Sequence, residues 1–425
     1  MSKYIRQEKS QRKHPIISSS ASIIKAPVVP TAPKERPGWK GPGFTKKAPK
    51  QPPPAPSAST STVPNFQHNH LPIELQQLLL NIFRAAFPIY QDYSALKPTL
   101  QEIREALLER DFERALGRLD WMEAYVVRWS PSRALCYAAV LLGVFEEFGE
   151  EVWIRSMLQG PESEIQRSSK SPGPTPRPLK AVCFGGGAAE IMAFGAILRH
   201  ILTAESASVS DDTNSLSGSE LHRPVLQLQL VNTGNWTPII NLLRSGLTTP
   251  PTLSKYASAS ARANNAPFLS LDVLNISLQR CSVLEASQEE LECMVGGKAV
   301  LITVFFSISD LWASSVVKCT AFLLKLTLAA PKDSLLLIID GLDSSAEITL
   351  EKDDQGKERK AYPMHYLLDM VLLEKQLPNL MGNKPAWARL LEDQSRLFKV
   401  AGQLKYSISL ENIKFQVHLF RKLER

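Results

Sequence analysis

The residues best placed for chemistry lie in the run Cys183-Phe184-Gly185-Gly186-Gly187-Ala188-Ala189-Glu190. A short apolar stretch, Ala181–Phe184, enters three glycines, and a helical pattern over Ile191–Leu202 follows. Glycines at such a junction allow a tight turn and let a ligand approach the backbone. The helix behind them offers free N–H groups. Glu190 decides which ligand suits the turn. A carboxylate near a helix start repels a pyrophosphate but welcomes an ammonium group. S-adenosylmethionine carries an ammonium and no phosphate, so these features favour it over a nicotinamide dinucleotide.

Other polar and aromatic residues recur where further strands are predicted to end. Asn232 follows the stretch Val225–Val231 and leads into Thr233-Gly234-Asn235-Trp236. Asp272 follows Phe268–Leu271. Phe306, Ser309, Asp310 and Trp312 follow Ala299–Phe305, and Asp340 follows Leu335–Ile339. Ligands in open parallel sheets bind beyond the C-terminal strand ends, so these residues are expected to converge with the glycines. Each has a plainer reading: Asp272 capping a turn, Asn232 in a loop, Trp236, Phe306 and Trp312 in the core. Their recurrence in strand order favours the site.

Strands alternating with helices from Lys180 onward predict an α/β fold, a Rossmann-like parallel sheet with helices on both faces. A last strand over Ile413–Phe420 alternates apolar and polar residues, which suits an edge or antiparallel position. Residues 71–168 read as a helical domain, with apolar residues at helical spacing from Leu75 to Ala86 and from Leu100 to Leu108. A third helix is expected over Phe112–Tyr125. Ser130-Pro131 then looks like the N-cap and first position of a new helix running to Phe148. Residues 169–179 form a Pro-rich linker, 180–425 the sheet domain, and 205–222 a Ser/Asp-rich insertion within it.

Residues 1–70 hold 12 of the 30 prolines, 12 Lys/Arg and only 2 Asp/Glu. That composition cannot bury enough surface to offset ordering entropy, so the tail is expected to be disordered. It suits an RNA-contacting arm or a nuclear address, and equally a spacer. The chain as a whole is +7 and the tail +10, so the remainder carries −3. The longest apolar region, Ala299–Ala330, is interrupted by Asp310, Lys318 and Lys325, which argues against a membrane span. No basic start followed by an apolar core suggests a secretory leader. Five cysteines without a C-x-x-C pair imply reduced, buried thiols in an intracellular compartment and no metal site.

The blocks 128–135 (Arg-Trp-Ser-Pro-Ser-Arg-Ala-Leu), 183–190, 362–369 (Tyr-Pro-Met-His-Tyr-Leu-Leu-Asp) and 410–419 (Leu-Glu-Asn-Ile-Lys-Phe-Gln-Val-His-Leu) carry a resemblance. Over roughly residues 71–425 the chain resembles the fungal family of SAM-dependent large-subunit (25S) rRNA uridine-N3-methyltransferases. Asn232 stands where that family has an acidic residue, and Ser309-Asp310 where it has Asn-Glu. The resemblance implies a class I methyltransferase fold and S-adenosylmethionine as cofactor. It implies large-subunit rRNA or a pre-ribosome as partner, a monomer, and a nuclear or nucleolar location with some cytoplasmic presence.

On that reading Gly185, Gly186 and Gly187 shape the methionine pocket and Glu190 meets its ammonium. Asn232 contacts the ribose, Asp272 the adenine amine, and Trp236 and Phe306 flank the cofactor. Asp310, beside Ser309, is the base for the N3 proton, or a cation near O2 or O4 stabilises the uridine anion. Phe306 or Trp312 stacks on the base. Two alternatives stand beside it: a catalytically silent methyltransferase-like scaffold in ribosome assembly, or a methyltransferase acting on a protein or small molecule.

Overall fold

The computed structural model describes residues 71–149, 151, 179–209, 226–342, 362–373 and 385–424. The tail, most of the linker, residues 210–222 of the expected insertion and residues 152–168 of the expected helical region lie outside these.

The described chain opens with helices α1 (Ile73–Ala86), α2 (Tyr93–Leu108), α3 (Phe112–Leu116) and α4 (Leu119–Phe148). There follow β1 (Leu179–Phe184), α5 (Ala188–Val209), β2 (Leu226–Asn232), α6 (Thr237–Thr248), α7 (Ala259–Ala263) and β3 (Leu274–Arg280). Next come α8 (Gln288–Val295), β4 (Leu301–Phe305), α9 (Ile308–Ser314), α10 (Val316–Ala329) and β5 (Leu335–Gly341). The chain closes with α11 (Met364–Leu372), β6 (Trp387–Phe398) and β7 (Ile413–Lys422).

One seven-stranded sheet runs in the order β3-β2-β1-β4-β5-β7-β6. The first five are parallel, and β7 lies antiparallel between β5 and β6. This is the Rossmann-like arrangement expected of a class I methyltransferase. The direction of strand addition reverses between β1 and β4, and that reversal opens a crevice at their C-terminal ends. The glycine turn sits there because Phe184, the last residue of β1, pairs with Val304 near the end of β4.

Alternate residues of each strand feed two apolar cores. Ala181 and Cys183 join the core under the N-terminal helices, and Val182 and Phe184 the core under α8, α10 and α11. Helix α5 is buried over almost its whole described surface because it lies between the sheet and α4. Residues 71–148 therefore share one apolar core with the sheet.

Several elements depart from the sequence reading. Helix α4 runs unbroken from Leu119 to Phe148, with Ser130 and Pro131 inside it. Proline has no N–H for the carbonyl four residues back. The Tyr406 hydroxyl takes that carbonyl instead, donating to Val127 O at 3.0 Å. A tertiary partner thus removes the reason for a break. Nearby, Glu411 N donates to Ser132 Oγ at 3.0 Å, and Arg128 pairs with Glu411. The blocks around Arg128 and Leu410 are therefore in contact.

Residues 205–209, expected in an insertion, continue α5. Strand β3 begins six residues later than expected, so Phe268 and Leu269 pack as buried loop residues. The C-terminal strand is antiparallel but not an edge, because β6, unforeseen in the sequence, covers its far side. Cys293 is exposed and Cys281 partly so, while Cys136, Cys183 and Cys319 are buried. Among the described residues, no helix is long and apolar enough to cross a membrane.

Candidate functional site

A cavity of about 880 Å³ occupies the crevice. Its floor is Gly185, Gly187 and the first turn of α5. Its sides are the ends of β2, β3 and β4, and its roof is α3 and α4.

The floor is shaped by sterics. Gly185 has φ +76°, and a Cβ there would stand 2.3 Å from Ser307 Oγ. A Cβ on Gly187 would meet the Trp236 ring at 3.2 Å. Gly186 is buried against Cys183 and Leu230, so it makes the turn without facing the cavity. Glu190 is buried, and its Oε2 accepts from Gly187 N at 2.8 Å. Burial raises its pKa, while the Gly187 N–H and the charge of Arg133 pull the other way.

At the end of β2, Asn232 lines the cavity and brackets two loops. Its Oδ1 accepts from Gly234 N at 3.0 Å, and its Nδ2 donates to Gly186 O at 3.1 Å. Trp236 is buried and borders the cavity, and its Nε1 has no hydrogen-bond partner among the described residues. A buried indole N–H without an acceptor is costly.

Asp272 is not where the sequence put it. It is exposed in the turn that precedes β3, at the N-terminal ends of the parallel strands and so opposite the glycines. The C-terminal end of β3 instead presents Arg280, Cys281, Ser282 and Val283 to the cavity. The missed signal was the alternation Leu274, Ile276, Leu278 against Asn275, Ser277 and Gln279.

The end of β4 carries the reactive side. Phe306 has φ +48°, a left-handed conformation rare for a large side chain. It lines the cavity, with its ring near that of Tyr137. Asp310, in the first turn of α9, also faces the cavity. Burial, followed by the nearby charge of Asp340, raises its pKa, and Arg110 and Arg133 oppose that rise. Arg110 Nε lies 3.4 Å from Asp310 Oδ1 and ties the turn after α2 to α9.

Ser309 and Trp312 do not line the cavity. Ser309 N and Oγ donate to Asp340 Oδ2 at 2.9 and 3.0 Å, so Ser309 anchors α9 to the end of β5. Trp312 is 1% exposed within the second core, where it cannot stack on a base. A helix this short turns only one stripe toward the cavity, and that stripe holds Asp310, Leu311 and Ser314.

The roof was missed as part of the site. Tyr125, Arg133 and Tyr137 of α4 all line the cavity. Arg133 donates to Tyr125 Oη, and its guanidinium lies 5.3 Å from the Phe306 ring centre. Arg421 and Lys422, the basic pair that ends β7, do not reach the cavity. Arg421 pairs with Glu151 and Asp333 beside Leu335, at the far end of β5, and Lys422 is buried on Trp387.

Residues 83–421 match the family described as "Putative SAM-dependent methyltransferase". The chain belongs to this methyltransferase family. It is also 26% identical over 366 residues to the Saccharomyces cerevisiae "25S rRNA (uridine(2843)-N(3))-methyltransferase", covering 84% of this chain and 87% of that one. Solved structures give looser likenesses. A CurJ carbon methyltransferase matches at TM-score 0.36 and 10% identity over 80% of this chain and 70% of that one. A 16S rRNA (adenine(1408)-N(1))-methyltransferase from Catenulisporales acidiphilia matches at 0.27 and 11% over 58% and 88%. The sheet order defines the fold on its own.

The methyltransferase cofactor, S-adenosylmethionine, suits the residues present. The glycine turn leaves room where a Cβ would clash, and Glu190 offers a carboxylate for an ammonium. When bound, the cofactor supplies an electrophilic methyl group on a sulfonium. Gly185, Gly187, Glu190, Asn232 and Trp236 would hold it, which leaves Phe306, Asp310 and Arg133 for the methyl acceptor.

Proposed function

We propose that this methyltransferase modifies N3 of a uridine in large-subunit ribosomal RNA. The observation that carries the reading is the similarity to the yeast uridine-N3 enzyme across more than four-fifths of both chains. The cavity supports it. Uridine N3–H is a weak acid on the pairing edge, so the base must be unpaired or flipped before any enzyme can reach it. Phe306 offers a ring beside which the base can dock.

Asp310 is the base. Its raised pKa makes it a better proton acceptor than an ordinary aspartate. The N3 proton passes to the Asp310 carboxylate. The N3 electron pair would then take the methyl group that the bound cofactor supplies, the sulfonium sulfur keeping the electron pair of the bond given up. Alignment of N3, carbon and sulfur by the walls of the cavity supplies much of the acceleration. The basic tail and a nucleolar site of action belong to the same proposal, with the pre-ribosome as the form in which the RNA is met.

The test is to incubate the full chain with labelled cofactor and large-subunit rRNA from cells lacking this gene, then resolve the nucleosides. Label in 3-methyluridine, lost with Asp310→Asn, supports the reading. Label in another nucleoside, or only in protein, overturns it.

A further inference from the structure

We infer that Arg133 is the cation that stabilises the target uridine as its N3 anion during methyl transfer, an assignment that rests on the uridine-N3 reading. Loss of the N3 proton spreads negative charge over N3, O2 and O4. Asp310 can accept the proton, but it brings negative charge of its own to the place where the anion forms. A cation facing the same space is therefore needed.

Arg133 meets that need by position. It projects from α4 into the cavity, above the Phe306 ring at 5.3 Å and held by the Tyr125 hydroxyl. The titratable groups facing it are Tyr125 and Tyr137 on its own helix, Glu190 from α5 and Asp310 from α9. Burial works against its charge, but Tyr125, Tyr137 and Glu190 together favour the protonated form and raise its pKa. The guanidinium is thus charged at any working pH. Its planar fork presents several N–H donors, more than the Tyr125 contact uses. The Tyr125 bond orients it before substrate arrives, so little reorganisation is required in the transition state.

Glu190 sits at the glycine turn, its carboxylate bound by the Gly187 N–H and close enough to Arg133 to favour the guanidinium's charge. The competing role for Arg133, pairing with the cofactor's carboxylate, predicts something different and is separated by the test.

Full-length Arg133→Met and Arg133→Lys are compared with wild type. Readouts are cofactor affinity by calorimetry and single-turnover 3-methyluridine formation across pH, on RNA containing uridine or 5-fluorouridine. Fluorine makes N3 more acidic and lessens the need for a cation. The expected result is near-wild-type cofactor affinity and a rate loss of roughly hundredfold for Met, smaller for Lys. Both losses should shrink at higher pH and on the fluorinated RNA.

Cofactor affinity that falls in step with the rate would assign Arg133 to the cofactor and overturn the inference. So would a rate loss independent of pH and of fluorine. If the Met variant does not fold, the Lys variant and its pH and fluorine responses decide. Absence of 3-methyluridine with wild type is a separate outcome: the uridine reading itself fails, and the inference with it.

Discussion

Replacing Tyr406 with Phe tests how the C-terminal segment keeps α4 continuous over the cavity. Pro131 leaves the Val127 carbonyl without its usual helical donor, and the Tyr406 hydroxyl supplies one at 3.0 Å. The phenylalanine ring keeps the packing and removes only the donor. A partly buried hydrogen bond of this kind contributes about 1 kcal/mol net, and the stranded carbonyl sets that cost. In a Pro131→Ala background the new amide at position 131 can bond to the Val127 carbonyl. The same Tyr406→Phe change should then cost under about 0.5 kcal/mol. Urea unfolding of the four proteins closes a double-mutant cycle with an expected coupling of about 0.5–1 kcal/mol. Cofactor affinity should not change, because neither residue lines the cavity. Equal costs in both backgrounds would refute the reasoning, since the hydroxyl would then not be compensating for the proline.

Glu190→Gln removes a buried carboxylate but keeps its shape, and should weaken cofactor binding about tenfold or more by calorimetry. Asp272→Ala, in the turn before β3 at the opposite end of the strands, should leave it unchanged. Arg110→Ala takes a positive charge from beside Asp310, so the carboxylate is harder to ionise, and the acid limb of kcat/KM should move to higher pH. His418 is buried and its pKa is depressed, chiefly by burial, from 6.5 to about 4. The folded state therefore binds fewer protons than the unfolded one between those values. Stability should be full above pH 6.5 and fall by about 3 kcal/mol as pH drops toward 4, with His418→Gln flattening that slope in urea titrations.

The glycine turn and four of the parallel strands were legible in the sequence because their signals are local. Apolar runs that close at Phe184, Asn232, Phe305 and Asp340, with glycine or polar residues at or just beyond those points, mark buried strands and their C-terminal ends wherever the chain goes. Strand β3 was not legible. It is the edge strand, and its exposed Asn275 and Ser277 make it less apolar than the buried loop before it. Strand β6 hides for a similar reason, since it is the opposite edge and carries Arg389, Glu392, Asp393 and Arg396 along its length.

The sequence by itself determined the class of fold, the glycine floor and the acid beside it. Tertiary structure alone decided which distant residues share the cavity. It brought Arg133 of α4 over Phe306 and near Asp310, and it sent Asp272 to the opposite end of the strands and Trp312 into the core. The physical reason is that backbone turns and periodicity are written in neighbouring residues. The meeting of a cation and an acid far apart in the chain depends on how α4 packs across α5 and the sheet.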